Sequence, residues 1–127
     1  MLTLNKIHHI AIICSDYQKS KQFYTEILGF EVVQEVYRKE RDSYKLDLAL
    51  QNYYCIELFS FPKPAKRISR PEASGLRHIA FGNIENEVEK LKQLEIKVEP
   101  IRVDEYTQKK FTFFEDPDGL PIELYEE

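Results

Sequence analysis

The segment HHIAII, His8–Ile13, returns in the second half of the chain as RHIAFG, Arg77–Gly82. The two segments align at an offset of 69 residues, which places His9 on His78. Self-similarity over such a distance indicates that one supersecondary unit occurs twice in a chain. We therefore interpret the sequence as two related modules.

Two further blocks share a common offset of 66 residues. LGFEV, Leu28–Val32, aligns with LEIKV, Leu94–Val98, and CIELFS, Cys55–Ser60, aligns with PIELYE, Pro121–Glu126. A chance similarity would not keep one offset across two separated blocks. The change from 69 to 66 indicates that three residues were lost once, in the helical region of the second module.

The first module has the pattern of a βαβββ unit. Ile7–Cys14 is rich in β-branched residues and predicts a strand. Ser15 or Asp16 can cap the helix that follows, and Gly29 can end it. The apolar face of this helix is predicted to contain Phe23, Tyr24, Ile27 and Leu28. Three strands are predicted after it, at Glu31–Arg38, Tyr44–Leu50 and Tyr53–Phe61.

The second module repeats the same order of elements. Leu76–Phe81 predicts its first strand, and the helix that follows has an apolar face of Ile84, Val88, Leu91 and Leu94. Its three remaining strands are predicted at Val98–Val103, Lys110–Phe114 and Pro121–Tyr125. The DPDG sequence of residues 116–119 predicts a turn, because proline presets one dihedral angle and glycine tolerates positive φ.

Together the modules predict a single α+β domain that covers residues 1–127. The first βαβββ module takes residues 1–61 and the second takes residues 76–127. Residues 62–75 form a linker whose three prolines exclude a continuous helix or a central strand. If a pseudo-twofold axis relates the modules, their curved mixed sheets line one cup-shaped cavity.

Composition and charge exclude several classes of protein. The chain is 43% hydrophobic with eight Tyr and eight Phe, which is typical of a folded domain rather than a disordered one. A net charge of −4 with both signs scattered offers no basic stripe for nucleic acid. No apolar run is long enough to span a membrane, and we expect a cytoplasmic protein because no secretory signal is visible. Cys14 and Cys55 are expected to be reduced core thiols.

Residues able to bind a metal recur at equivalent places in the two modules. His9 and His78 belong to the predicted first strands, and Glu57 and Glu123 belong to the predicted last strands. Two modules packed about a pseudo-twofold axis would let the four side chains converge on one point. Two imidazole nitrogens and two carboxylate oxygens suit Zn, Ni, Co, Mn or Fe(II). The sequence thus predicts one divalent cation.

The apolar neighbours of the two glutamates point the same way. Glu57 and Glu123 each stand between an isoleucine and a leucine in runs that otherwise belong to a core. An ionised carboxylate in a core is costly unless it is paired or bound to a metal. The alternative is that both glutamates lie on outward strand faces, where water solvates them.

His8 and His9 compete for the role of metal ligand. Neighbouring residues on a strand point to opposite faces, and the repeat aligns His9 with His78 but His8 with Arg77. His9 is therefore the ligand candidate, and His8 is expected to face helices or solvent.

These segments resemble the vicinal oxygen chelate superfamily, the glyoxalase I-like enzymes, and in particular its short bacterial members of the YaeR-like branch. The resemblance covers nearly the whole chain and rests on HHIAII, SDYQKSKQFYTEILGF, IELFSFP, GLRHIAF and FTFFEDPDGLPIELYE. It implies a paired βαβββ fold, a homodimer and a divalent metal in each cup. His9, Glu57, His78 and Glu123 match the pattern of ligands that glyoxalase I uses.

The resemblance also implies a reaction. A lactoylglutathione lyase-like enzyme would polarise a small α-oxo substrate on its metal, while a carboxylate moves a proton between adjacent carbons. Glu123 or Glu57 would be this base, and analogy with the family favours Glu123. Ile13 stands where bacterial glyoxalase I enzymes carry an arginine that contacts glutathione, which puts glutathione-linked substrates in doubt.

Other residues are open to two interpretations. Basic residues that could bind an anionic substrate or could simply be surface charges are Arg38, Arg41, Lys45, Arg102, Lys109 and Lys110. The linker cations that form either an anion site or a solvated loop are Lys63, Lys66, Arg67 and Arg70. Aromatic residues that could line the pocket or pack in the core are Tyr37, Phe59, Phe111, Phe113 and Tyr125.

Two functional alternatives remain beside the lyase. One is an epimerase-type enzyme that acts on another enolisable acid or a CoA ester. The other is a non-catalytic module that binds a small molecule, as resistance proteins on this fold do. Such binding proteins lack metal ligands, whereas this sequence carries four candidates.

Overall fold

Two units make up the chain, Met1–Lys66 and Arg67–Glu127, in a computed structural model that describes all 127 residues. Each unit contains one four-stranded mixed sheet and one principal helix. The boundary between the units falls inside the proline-containing segment of residues 62–75. No helix is long and apolar enough to cross a membrane.

The first unit begins with strand β1 and helix α1. The helix starts after Asp16, whose Oδ1 accepts a hydrogen bond from the Lys19 amide at 3.1 Å, so Asp16 rather than Ser15 is the N-cap. Gly29 follows the helical region with a φ of +82°, a conformation that glycine adopts without strain. The elements are β1 Ile10–Cys14, α1 Tyr17–Gln22 with a π-helical turn Phe23–Ile27, β2 Glu31–Arg38, β3 Ser43–Leu50 and β4 Tyr53–Ser60.

The second unit repeats this order. Its elements are β5 Ile79–Gly82, α2 Glu87–Gln93, β6 Arg102–Val103, β7 Lys110–Glu115 and β8 Pro121–Tyr125. The strand order is β1-β4-β3-β2 in the first sheet and β5-β8-β7-β6 in the second. In both sheets the first strand runs parallel to the last, and the other pairs are antiparallel. The predicted α+β class with two βαβββ modules is confirmed.

Each sheet buries one face and leaves the other accessible. In the first unit the buried face includes Leu46, Leu48, Ile56 and Leu58, all at most 1% exposed. In the second unit Ile122 and Phe114 are buried together with Leu91 of α2. Alternation along the strands turns Ala11, Ile13 and Ala80 to the opposite, accessible faces. These faces carry the candidate ligands.

Two predictions about the second unit are wrong: the length of its second strand and the burial of Leu94. Only Arg102–Val103 of the predicted strand Val98–Val103 is regular, because Pro100 has no amide to donate. The Glu99 amide still donates to the Phe113 carbonyl at 2.9 Å, so the segment follows β7 without forming a strand. Leu94, predicted on the apolar helix face, is 55% exposed because α2 ends before it.

Cys14 and Cys55 form no disulfide. Cys14 is buried, and Cys55 is partly buried. Burial raises the pKa of the Cys55 thiol, because a thiolate is poorly solvated there. The thiols therefore fit the predicted structural role.

Candidate metal centre

His9 and Glu57 come together in the first unit. His9 immediately precedes β1 rather than lying inside it, since regular pairing with β4 starts at Ile10. Ala11 lies opposite Glu57 in the register, and its small side chain leaves space above the sheet for larger neighbours. The His9 Nε2 atom lies 3.6 Å from Glu57 Oε2, and their side chains are 38% and 14% exposed. The unit thus presents one imidazole beside one largely buried carboxylate.

A polar network holds Glu57. The Tyr54 hydroxyl donates a hydrogen bond to Glu57 Oε2 at 2.7 Å, and Lys45 Nζ lies 3.7 Å from the same oxygen. Lys45 is also paired with Asp47 at 2.6 Å. Burial and the hydrogen bond to Glu57 raise the pKa of Tyr54, so its hydroxyl stays a donor at neutral pH. The sequence did not select Tyr54 or Asp47, and it named Lys45 only as a cation that could bind an anionic substrate or be a surface charge. The approach of Lys45 and Asp47 to Glu57 depends on the register of β3 with β4.

His8 lies against His9 instead of turning wholly away. The two Nδ1 atoms are 2.8 Å apart, which is hydrogen-bonding distance when one ring carries the proton. If His9 donates to His8, its Nε2 lone pair faces Glu57 and is available to a metal. His8 and His9 are both exposed and both precede β1, so the strand alternation that was expected to separate them does not apply, and His8 contacts the candidate ligand.

The second unit repeats the pair with His78 and Glu123. Here too the histidine precedes the strand, and Ala80 lies opposite the glutamate in the register. His78 Nε2 lies 3.0 Å from Glu123 Oε2, and their side chains are 29% and 12% exposed. The His78 ring makes an edge contact with Phe113, with centroids 5.1 Å apart. The same arrangement of imidazole and carboxylate therefore occurs in both units.

The surroundings of the two carboxylates differ. Glu57 faces Asp47 across the strands, whereas Glu123 faces Phe113 at the equivalent position. Tyr54 and Lys45 hold Glu57, whereas His78 is the one hydrogen-bonding or charged side chain within reach of Glu123. The structure thus distinguishes two halves that the sequence repeat makes equivalent.

The donor set fits a divalent transition metal, although neither pair is a complete site. No group of three or more His, Cys, Asp or Glu side chains is arranged to hold a metal ion. Each unit nevertheless supplies one nitrogen and one oxygen donor from side chains that do not repel each other. A largely buried carboxylate beside an imidazole suits a cation with mixed nitrogen and oxygen ligands.

Several other predicted residues have defined positions. The Arg38 guanidinium stacks over Phe59 at 4.7 Å, and Arg102 stacks over Phe111 at 4.9 Å while pairing with Glu99 at 2.9 Å. The Tyr37 hydroxyl donates to Asp42, which raises the pKa of Tyr37. Phe59 and Phe111 are therefore partly exposed rings that stack against arginines, and they are not core residues.

The repeated βαβββ architecture, with one His–Glu pair in each unit, defines a class of small proteins built from two four-stranded mixed sheets. The family model described as "Glyoxalase/Bleomycin resistance protein/Dioxygenase superfamily" matches residues 6–124. The chain belongs to this superfamily.

Two bacterial relatives match along their whole length. The uncharacterized protein YwkD of Bacillus subtilis is 61% identical over 99% of this chain and 100% of its own. The uncharacterized protein YaeR of Escherichia coli is also 61% identical, over 100% of both chains. The chain is therefore similar to complete proteins of the YaeR type.

Solved structures share the fold. The crystal structure of SMU.1112c is 47% identical, with a TM-score of 0.90 over 98% of this chain and 100% of that one. The trypanothione-dependent glyoxalase I of Leishmania major is 24% identical over 98% of this chain and 88% of that one, with a TM-score of 0.72. The fosfomycin resistance protein FosX of Listeria monocytogenes, complexed with Mn(II), is 20% identical over 98% and 94%, also at 0.72. The last two likenesses concern the fold alone.

Proposed function

We propose that this protein is a metal-dependent enzyme of the glyoxalase I-like type, a lyase or isomerase that moves a proton on a small α-oxo substrate. The observation that supports this proposal most strongly is the recurrence of the His–Glu pair. Each unit places a largely buried carboxylate within 3.6 Å or 3.0 Å of an imidazole. Burying an ionised carboxylate in each unit is costly, and a cation bound by both pairs would offset this cost.

In this proposal His9, Glu57, His78 and Glu123 together hold one divalent cation, which is Zn, Ni, Co, Mn or Fe(II). The cation, when bound, polarises a substrate carbonyl and makes the neighbouring C–H more acidic. The two pairs come from one chain or from two chains of a homodimer, the assembly that we expect from the family. The relative FosX carries Mn(II), which is one of the expected ions.

Glu123 is the proposed base. It would accept the acidified proton from one carbon and return it to the adjacent carbon. A base must be free to turn toward the substrate, and Glu123 has one polar partner, whereas Tyr54 and Lys45 restrain Glu57. Phe113 packs edge-to-face against the His78 ring, and Phe111 packs edge-to-face against Phe113. Glu57 would then act mainly as a ligand.

The lyase proposal is tested with purified protein reconstituted with Ni or Zn. Methylglyoxal and glutathione should give a thioester, and the product formed in deuterium oxide should carry deuterium. Formation of thioester that requires the metal supports the proposal. If the protein binds metal but gives no thioester with glutathione or other thiols, the lactoylglutathione lyase activity is wrong.

Epimerisation or another proton transfer on an enolisable acid is the second candidate. Ile13 favours it, since this apolar residue is 56% exposed where the family's glutathione-contacting cation is expected. Screening small oxo acids and CoA esters for metal-dependent exchange of deuterium would identify such a substrate. A purely sequestering module would bind a small molecule without any exchange.

A further inference from the structure

A cavity of about 250 Å³ lies beside His78 in the second unit. Three arginines from two parts of this unit line it: Arg70 and Arg77 lie on the segment before β5, and Arg102 lies on β6. Phe113 forms part of its wall and contacts the His78 ring. We call the cavity lined by Arg70, Arg77, Arg102 and His78 the arginine pocket.

The charges of the arginine pocket are not balanced internally. Arg102 is paired with Glu99 at 2.9 Å and rests on the Phe111 ring, so its position is fixed and its charge is compensated. Neither Arg70 nor Arg77 has a carboxylate within 4.0 Å. Against these two cations the lining offers one further acid, Glu72. The pocket therefore has an excess of guanidinium donors.

Hydrogen bonds hold the wall of the arginine pocket in place. Arg67 donates to the carbonyls of Leu76 and Arg77, and it donates to Ser69 at 2.8 Å. Ser69 in turn donates to the Gly119 carbonyl in the turn before β8, at 2.9 Å. Arg67 thus joins the two ends of the segment that carries Arg70 and Arg77, and Ser69 ties this segment to the turn before β8. A site with a preformed wall loses little entropy when it binds a ligand.

We propose that the arginine pocket binds the carboxylate of a small α-oxo acid. Guanidinium groups present paired donors that match the two oxygens of a carboxylate. A volume of about 250 Å³ lies below the roughly 300–1,000 Å³ typical of sites for drug-sized ligands. The pocket therefore suits a small acid better than a thiol conjugate or a CoA ester. That this acid is the substrate rests on the proposed function, since its carbonyl would then lie toward His78.

The test is an NMR titration of the protein, both as purified and after removal of metal with a chelator. Pyruvate is the probe, inorganic phosphate tests for a general anion site, and dihydroxyacetone is the neutral control. The Arg70→Gln/Arg77→Gln variant removes the unpaired cations. Lys92→Gln is the matched control, because Lys92 is an exposed cation of α2 that does not line the pocket.

Pyruvate should shift the amide signals of residues 69–77 other than Pro71 and the amide signal of Arg102. The double variant should weaken pyruvate binding at least tenfold, while Lys92→Gln leaves it unchanged. Absence of these shifts, an equal loss in both variants, or a preference for phosphate would overturn the proposal. Zinc titrations of the same samples separate the two proposals. In the wild type, zinc binding without pyruvate binding refutes the pocket alone, whereas pyruvate binding without zinc binding refutes the metalloenzyme alone.

Discussion

Glu57 and Glu123 are equivalent in the repeat but are restrained to different degrees. With saturating metal, Glu123→Gln should slow deuterium exchange into the substrate by about 10²–10⁴-fold, the usual contribution of a general base. Glu57→Gln should mainly weaken metal binding, because its neighbours Tyr54 and Lys45 already hold it in place. Glu115→Gln, an exposed change at the end of β7, is the control. A larger loss of exchange in Glu57→Gln would reverse the assignment.

His8 is predicted to orient the candidate ligand His9. Its Nδ1 atom lies 2.8 Å from that of His9 and can accept a proton from it. Residues that orient a ligating histidine typically contribute about 10–100-fold to metal affinity. His8→Ala should therefore weaken zinc binding at least about tenfold in a calorimetric titration. Asn5→Ala, another exposed change, should have no effect, and an unchanged affinity in His8→Ala would exclude the orienting role.

At the scale of elements, α1 is tied to β2 through Tyr17, Lys21 and Glu35. Tyr17 donates a hydrogen bond to Glu35, and Lys21 donates to the same carboxylate at 2.7 Å. Burial, followed by the bond to Glu35, raises the pKa of Tyr17 above 10.0. The hydrogen bond from Lys21, followed by that from Tyr17, lowers the pKa of Glu35 below 4.5.

These shifts predict a two-sided dependence of stability on pH. The Glu35 contribution is complete above pH 4.5 and is lost as the pH falls through its lowered pKa. The Tyr17 contribution is complete below pH 10.0 and is lost as the pH rises toward its raised pKa. Urea unfolding across this range should show a flatter acid limb for Glu35→Gln than for the wild type. Glu31→Gln, on the same strand, should keep the acid limb, and a loss there too would point to general charge effects.

Leu91 of α2 and Leu94, which follows the helix, test whether a leucine on the predicted apolar face is actually buried. Leu91 is 6% exposed and Leu94 is 55% exposed, although both belong to the predicted apolar face. Leu91→Ala should lower the free energy of unfolding by about 2–5 kcal/mol, as buried leucines do. Leu94→Ala should change it by less than about 0.5 kcal/mol. Equal losses in urea denaturation would mean that the chain buries Leu94 in solution.

At the scale of the whole molecule, one ion is expected to need both His–Glu pairs. His9→Gln/Glu57→Gln and His78→Gln/Glu123→Gln should each abolish metal binding, which elemental analysis of the purified proteins measures. Retention of half the metal in either variant would show that each pair binds its own ion. Mixing the two variants then identifies the chains involved, since recovery of binding requires a site shared between two chains.

Loss of the metal should also lower stability. A ligand present at 100 times its Kd stabilises a folded protein by about 2.7 kcal/mol. Reconstitution with Zn or Ni should therefore raise the Tm of the chelator-treated wild type, and it should leave both double variants unchanged.

The sequence by itself determined the duplicated architecture, the limits of strands such as Glu31–Arg38 and Pro121–Tyr125, and the recurrence of one histidine and one glutamate in each module. These features follow from the local periodicity of apolar residues and from the constant offset that two of the repeated segments share. Periodicity fails at Pro100, whose missing amide shortens the predicted strand, and at Leu94, where the helix ends before the predicted apolar face does.

The tertiary structure alone decided which groups surround the two carboxylates. Lys45 reaches Glu57 through the register of β3 with β4, and Tyr54 reaches it from the same strand, next to the point where that register shifts. Arg70, Arg77 and Arg102 meet only because the segment before β5 folds beside β6 and β8. Such convergence depends on closing loops and aligning strands far apart in sequence. That information is absent from any local pattern, so the difference between the two halves of the repeat emerges only when the chain is folded.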